Sequence, residues 1–74
     1  MKMGENMNIF RERLIEQRKQ FKYTQRQMAE FLQMAQPSYI RYENGSSEPT
    51  LENLVKIADL FDVSVDYLLG RDDI

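Results

Sequence analysis

The chain has 74 residues, the size of one small domain, and contains neither cysteine nor histidine, so disulfides and thiolate metal sites are excluded. Hydrophobic residues make up 42% of the chain and charged residues 30%, as in an ordinary soluble protein, and the formal net charge is −2. Because no apolar run approaches the roughly 20 residues of a membrane span and the start lacks the apolar stretch of a secretory signal, we expect a cytoplasmic protein.

The charges are distributed unevenly along the chain. Residues 1–45 hold eight Lys or Arg and five Asp or Glu, a net charge of +3, whereas residues 46–74 hold two and seven, a net charge of −5. Such asymmetry can mark a basic binding face on an otherwise acidic protein, and it can also arise by chance in a short chain. The charge distribution is therefore compatible with a nucleic-acid partner but does not by itself indicate one.

Apolar residues recur at helical spacing throughout the chain, which predicts an all-α protein. The first predicted helix covers about residues 9–20, and Asn8 is its predicted N-cap. Phe10, Leu14 and Phe21 form its apolar stripe. This stripe is expected to face the core.

The second predicted helix covers residues 25–32. Thr24 is followed three residues later by Gln27, which is a capping-box sequence and marks the start of the helix. Met28 and Leu32 lie one turn apart, so both are expected to face the core.

The third predicted helix covers residues 36–43 and is ended by Asn44 and Gly45. Tyr39 and Tyr42 are its apolar positions, three residues apart, and are expected to face the core. Only about three residues separate this helix from the second one, so the two helices must cross steeply, as in a helix-turn-helix.

Thr50 is the predicted cap of a fourth helix that ends at Asp62, and Ser64 the predicted cap of a short fifth helix that ends at Gly70. The expected fold is therefore a compact all-α bundle of five short helices around one core. Its expected organisation is a flexible arm in residues 1–8, a single domain in residues 9–70 and a loose tail in residues 71–74.

The segments "YTQRQMAEFL", "YIRYENG" and "PTLENLVKIADLFDVSVDYLLG", together with Arg18, resemble the helix-turn-helix DNA-binding domains of the phage-repressor or XRE family, the lambdoid repressor and Cro type. The resemblance covers about residues 9–70, and the combination of segments is specific where a lone helix-turn-helix sequence is weak. It implies a lambda-repressor-like fold whose second and third helices form the helix-turn-helix. It also implies a sequence-specific regulator of transcription, expected to be a repressor, that needs no cofactor and no metal ion.

The resemblance implies that the third helix is the recognition helix and enters the major groove of DNA. The residues expected to contact bases are Gln36, Pro37, Ser38 and Arg41. Glutamine can bond N6 and N7 of adenine together, and arginine can bond O6 and N7 of guanine. Pro37 is tolerated in a first turn and offers an apolar surface to a thymine methyl group. The alternative is an ordinary amphipathic helix with a solvated polar face.

The resemblance also implies that Gln25, at the positive end of the second helix, binds a backbone phosphate and reaches towards Gln36. Asn44, Ser46 and Ser47 are expected to contact phosphates in the same way. Such contacts fix the register of a protein on DNA and carry no sequence information. Alternatively, these are ordinary polar residues of a first turn and a loop.

Arg18 and Glu43 match a family pair that joins the first helix to the end of the third, which implies a structural role. Two positions of the turn depart from the family. Gln33 stands where glycine is common, and Ala35 stands at a cap that is often serine or threonine. Each departure is expected to cost on the order of 1 kcal/mol of local stability.

Two other classes of function, an enzyme and a protein-interaction module, are alternatives to DNA binding. An enzyme is not expected, because the chain has no histidine, no cysteine and no glycine-rich phosphate loop. The same fold can serve as an antitoxin or a protein-interaction adaptor, with DNA binding secondary. Ile15, Phe31 and Ile40 are apolar where the family is usually polar, so they are either scattered surface residues or a patch for a partner.

One recognition helix covers too few bases to specify a genomic site. Members of the family bind two half-sites, one helical turn apart, as dimers on near-palindromic operators. We therefore expect a weak homodimer that assembles on double-stranded DNA, with Tyr67 of the fifth helix as the dimer contact. The alternative is that all the apolar residues of the fifth helix complete the core of the monomer.

Overall fold

A computed structural model of the chain describes the backbone of residues 3–71 and the side chains of residues 9–71. Within this part, the predicted all-α fold is confirmed. The helices are α1 (Met3–Gln20), α2 (Gln25–Leu32), α3 (Gln36–Asn44), α4 (Leu51–Phe61) and α5 (Val65–Leu69). None of these described helices has the length and hydrophobicity that crossing a membrane requires.

The predicted start of α1 is wrong. This helix begins at Met3, so Asn8 lies inside it and is not its N-cap. The start was placed at the first residue of the apolar stripe, whereas a helix can extend beyond its core-facing stripe into polar sequence. The predicted arm of residues 1–8 overlaps α1 from Met3 onward, and residues 1–2 and 72–74 lie outside the described residues.

Phe21 was assigned to the apolar stripe of α1, and this assignment is also wrong. Phe21 follows the end of the helix and is 42% exposed. Its ring packs on Tyr23 and Phe61, with centroids 5.9 and 5.2 Å away. The residue therefore covers the edge of the core from the α1–α2 turn.

The core is shared by all five helices, because α1 packs on α3 and α5 while α4 packs on α2 and α5. Its buried apolar side chains are Phe10, Leu14, Met28, Ala29, Leu32, Tyr39, Tyr42, Leu54, Ile57, Ala58, Phe61 and Leu68. Full burial of one large apolar side chain contributes about 1.5–3 kcal/mol. Ala29 is the small buried residue of α2, the helix that crosses α3.

The starts of α2, α4 and α5 follow the predicted capping residues. The hydroxyls of Thr24, Thr50 and Ser64 each accept the backbone N–H of the third residue in the helix that follows. Gly70 ends α5 with a φ of 73°, and a Cβ atom there would lie 2.7 Å from Cγ2 of Ile9. Glycine is required at this position by both the positive φ and the close approach of α1.

The turn between α2 and α3 combines two locally unfavourable features. Gln33 has a φ of 58°, the left-handed conformation that favours glycine, and its N–H donates to the carbonyl oxygen of Glu30 at 3.1 Å. Ala35 occupies the N-cap of α3, and within the described residues no side chain caps this helix. Interactions from elsewhere in the fold must therefore hold α3 in place.

Candidate nucleic-acid interface

The two faces of α3 differ in chemistry. Tyr39 and Tyr42 are 0% and 5% exposed, and their rings meet edge to face with centroids 6.1 Å apart. Gln36, Ser38 and Arg41 are exposed on the other side of the helix. The predicted orientation of α3 is confirmed, because its aromatic residues enter the core and its hydrogen-bonding side chains face solvent.

Pro37 is exposed and lies in the first turn of α3, as predicted. Proline has no N–H to lose at this position, and its fixed φ suits a helix start. Since α3 has no side-chain cap among the described residues, the N–H groups of Gln36 and Ser38 are not taken up by a capping oxygen. The start of α3 therefore presents backbone donors beside the donors of its side chains.

Glu43, at the end of α3, is a buried carboxylate that is only 6% exposed. Its Oε2 accepts from Nε of Arg18 at 2.6 Å, and its Oε1 accepts from Nη2 of the same residue at 3.2 Å. The predicted pair is therefore present as a two-bond ion pair between α1 and α3. Tyr39 donates its hydroxyl to Oε2, and Gln25 donates its Nε2 to Oε1 at 3.0 Å.

These contacts determine the protonation of the network. Burial alone raises the pKa of Glu43, but hydrogen bonds from Arg18, Tyr39 and Gln25 outweigh it, so the pKa lies below its ordinary value. Burial and the bond to Glu43 raise the pKa of Tyr39. At neutral pH, Glu43 is therefore charged and Tyr39 is protonated. Among the described side chains, every buried nitrogen and oxygen has a hydrogen-bond partner.

The predicted direction of the Gln25 side chain is wrong. Its amide nitrogen binds Glu43 and does not reach towards Gln36. A buried carboxylate is a stronger acceptor than a neutral amide oxygen, which explains the preference. Gln25 is half-buried and begins α2, so its backbone N–H still lies at the positive end of that helix.

The loop after α3 is ordered by its own polar groups. Oδ1 of Asn44 accepts from the backbone N–H of Ser46 at 2.9 Å and from its hydroxyl at 2.6 Å. The N–H of Ser47 donates to the carbonyl oxygen of Arg41 at 3.2 Å. Both bonds to Asn44 use its oxygen, so its amide nitrogen remains a donor at the end of α3.

Arg11 is a site residue that was not predicted from the sequence. Its Nε donates to the carbonyl oxygen of Glu43 at 2.9 Å, and its Cδ passes close to Gly45. A guanidinium group therefore lies at the negative end of α3, next to the loop that was predicted to contact phosphates. The spacing of seven residues between Arg11 and Arg18 places both on one face of α1 and was the sequence signal for this contact.

Tyr67, the predicted dimer contact, is packed against α1 of its own chain. The guanidinium of Arg13 lies 4.4 Å from the centroid of its ring, and Arg13 also donates to its carbonyl oxygen. The Tyr67 hydroxyl lies 3.4 Å from both Nε2 of Gln17 and Oε1 of Glu16. Tyr67 is half-buried as a result, and its part in a dimer stays a prediction.

The three unexpected apolar positions have different surroundings. Ile15 lines a groove on α1 with Arg11 and Lys19, whereas Phe31 lines a different groove with Tyr23. Ile40 is half-buried. Ile15 and Phe31 therefore do not share one groove, and a partner patch of the three residues stays a prediction.

The chain belongs to the helix-turn-helix family, because the sequence profile of that family matches residues 14–68. This match confirms the predicted resemblance and includes α2, the turn and α3. The matched residues also include the short turn at Gln33 that joins α2 to α3.

Individual relatives agree with this assignment. The cryptic phage CTXphi transcriptional repressor RstR of Vibrio cholerae serotype O1 is 51% identical over 61 residues, covering 82% of this chain and 54% of the relative. The HTH-type transcriptional regulator AnsR of Bacillus subtilis is 43% identical over 66 residues, covering 89% and 55%. The chain thus spans about half the length of these curated relatives. No solved structure matches it.

Proposed function

We propose that this chain is the DNA-binding domain of a transcriptional regulator and that it reads double-stranded DNA with α3 in the major groove. The observation that supports this most is the exposed hydrogen-bonding face of α3, on a helix whose other face is fixed in the core. The direction of regulation is proposed to be repression, because the relative RstR is a transcriptional repressor.

In this proposal, Gln36, Pro37, Ser38 and Arg41 contact base edges. Gln36 suits adenine and Arg41 suits guanine, because each side chain can form two bonds to that base. Pro37 and Ser38 lie in the first turn of α3, the part of a recognition helix that approaches the bases in helix-turn-helix proteins. The four residues together form a short reading surface.

Phosphate contacts are proposed for Gln25, Asn44, Ser46 and Ser47. Gln25 offers a helix N-terminus, and Asn44 and the two serines offer donors at the end of α3. Arg11 adds a positive charge beside this loop. Because Gln25 is bonded to Glu43, these groups all lie near the end of α3, which suits contacts to the phosphates beside a groove.

The charges of the surface favour the same orientation. Residues 51–71 hold four of the eight exposed carboxylates of residues 9–71, those of Glu52, Asp59, Asp62 and Asp66, against two cations, Lys56 and Arg71. Phosphates repel carboxylates, so the α4–α5 side should face away from DNA. Steering of this kind weakens as salt increases.

A homodimer on a near-palindromic operator is the second part of the proposal, because one α3 reads too few bases. Tyr67 remains the predicted contact, and the exposed Leu51 and Val55 of α4, 82% and 49% exposed, offer another surface. Cooperative binding to a palindrome that is lost in Tyr67→Asp, with the fold intact, supports the Tyr67 contact. If Tyr67→Asp still binds cooperatively and Leu51→Asp does not, the dimer contact lies on α4 instead.

The proposed function is tested by selecting bound duplexes from a random DNA pool and titrating the selected site at several salt concentrations. We expect enrichment of a common sequence and an affinity that falls linearly with salt on logarithmic axes. Recovery of unrelated sequences, or an affinity that does not change with salt, would contradict DNA reading and favour the antitoxin or adaptor alternative.

A further inference from the structure

The two oxygens of the Glu43 carboxylate serve different partners. Oε2 accepts from the Tyr39 hydroxyl and from Nε of Arg18, which are bonds that hold α3 to itself and to α1. Oε1 accepts from Nη2 of Arg18 and from the side-chain amide of Gln25, which begins α2. One carboxylate at the end of α3 therefore also determines where the Gln25 amide lies.

A glutamine side chain at the start of a surface helix normally samples several rotamers, and fixing it costs conformational entropy on binding. A hydrogen bond to a charged acceptor is stronger than one to a neutral acceptor and can hold one orientation in advance. A primary amide has two N–H donors in one plane, so a bond from one of them also fixes the other. Gln25 is only half-buried, which leaves part of this residue accessible.

We propose that Glu43 is a positioning residue for DNA binding, and that it holds the Gln25 amide ready to donate its second N–H to a backbone phosphate. This inference rests on the proposed function, because it requires that Gln25 faces a phosphate. It goes further by giving the buried carboxylate a role in binding, beyond joining α1 to α3.

Electrostatics alone makes the opposite prediction. Removing a negative charge from a DNA-binding domain reduces repulsion of the phosphates, so Glu43→Gln should bind DNA more tightly if Glu43 acted only through its charge. If Glu43 positions Gln25, the same substitution should weaken binding. A carboxamide at position 43 has one oxygen for the donors of Arg18, Tyr39 and Gln25, and its own NH₂ group would face donors.

The experiment measures fluorescence anisotropy of a labelled mixed-sequence duplex with wild-type protein, Glu43→Gln, Gln25→Ala and the double variant. Circular dichroism at the titration temperature establishes the folded fraction. We expect Gln25→Ala and Glu43→Gln each to weaken binding by about two- to tenfold, roughly the effect of one hydrogen bond. The double variant should bind little more weakly than either single variant.

Two matched variants separate positioning from charge and from stability. Glu30→Gln removes an exposed carboxylate of α2 that pairs with Arg26, and it should leave affinity unchanged or raise it. Tyr39→Phe removes a donor to Oε2 and leaves the Gln25 bond to Oε1, so it should destabilise the fold without changing the affinity of the folded protein. Weakening by Tyr39→Phe equal to that by Glu43→Gln would overturn the proposal.

A measurement without DNA distinguishes failure of this inference from failure of the proposed function. In a ¹H–¹⁵N spectrum, the side-chain amide protons of Gln25 should be shifted from those of the exposed Gln20, and the shift should disappear in Glu43→Gln. An unshifted Gln25 amide in the wild type would overturn the positioning role. A shifted amide in a protein that binds no DNA would instead overturn the proposed function and, with it, this inference.

Discussion

The α2–α3 region and the α4–α5 region are held by different kinds of interaction, although both pack on one core. The helices α4 and α5 begin at Thr50 and Ser64, whose hydroxyls each cap a nearby N–H. By contrast, α3 begins at Ala35 without a side-chain cap in the described chain. Its position depends instead on bonds from α1 and α2 to Glu43.

The position of the surface proposed to face DNA therefore depends on a few buried polar contacts. Removing one partner of a buried charged pair leaves the other uncompensated, which costs more than the loss of an exposed cap. Substitutions in the Glu43 network should therefore have the largest effects, and substitutions in local caps smaller ones.

The largest effect is expected for Glu43→Ala. The substitution leaves the guanidinium of Arg18, 14% exposed, without its carboxylate, and leaves Tyr39 and Gln25 without an acceptor. We expect a loss of about 3–5 kcal/mol in the free energy of unfolding, measured by urea denaturation. Glu52→Ala, which breaks an exposed pair on α4, should change stability by less than about 0.5 kcal/mol.

The Glu43 contribution should also depend on pH. Because its pKa is lower in the folded state than in the unfolded chain, the stabilisation is fully present above the unfolded value of about 4.3 and is lost as pH falls through the folded value. The difference in stability between wild type and Glu43→Ala should therefore be constant near neutral pH and shrink below about pH 4. A difference that grows in acid would contradict the lowered pKa.

Gln36→Ala changes the exposed face of α3, which faces solvent and not the core. The substitution should therefore change DNA binding without changing the fold. We expect a loss of about 1–3 kcal/mol in binding the selected site, confined to one base position, and an unchanged thermal midpoint. Gln20→Ala, at the exposed end of α1, is the matched control and should bind like the wild type. Equal weakening on every sequence would show that Gln36 contacts the backbone only.

A smaller effect is expected for the local caps of the α4–α5 region. Thr50→Ala should lower the free energy of unfolding by about 1 kcal/mol, because the N–H of Asn53 loses its acceptor. The ratio of affinities for selected and scrambled DNA should stay unchanged in this variant. A change in that ratio would show that α4 shapes the reading surface and would remove the distinction between the two regions.

The smallest effect is expected for Gln33→Gly in the α2–α3 turn. Gln33 adopts a φ of 58°, which glycine reaches without the Cβ penalty, although glycine also makes the unfolded chain more flexible. We expect thermal stability to stay level or to rise by up to about 1 kcal/mol. A clear loss would show that the Gln33 side chain contributes more than the strain costs.

The sequence predicted those features that depend on neighbouring residues. The capping box of Thr24 and Gln27 and the end of α5 at Gly70 each involve a few adjacent positions, so they could be located in advance. Contacts between distant residues could not be located by spacing alone. Gln25 and Glu43 are 18 residues apart, and Arg13 and Tyr67 are 54 apart.

The family resemblance predicted one contact between distant residues, the Arg18–Glu43 pair. It did not predict the Gln25–Glu43 and Arg13–Tyr67 contacts. It directed Gln25 to Gln36, because a resemblance does not reveal which acceptor is stronger in this particular chain. It also led to the prediction of Tyr67 as a dimer contact. The contact between the Arg13 guanidinium and the Tyr67 ring could not be foreseen, because it depends on how α1 and α5 pack. Base-contacting and phosphate-contacting roles remain predictions at every residue to which they were assigned.

Arg41→Ala is the substitution that best separates base reading by the exposed face of α3 from contact with phosphates alone. The measurement compares the affinities of wild type, Arg41→Ala and the control Arg71→Ala for the selected site, its single-base variants and scrambled DNA. We predict that Arg41→Ala loses about 1–3 kcal/mol on the selected site and ceases to discriminate at one guanine, while Arg71→Ala keeps full discrimination. Equal losses for Arg41→Ala on selected and scrambled DNA would contradict the account.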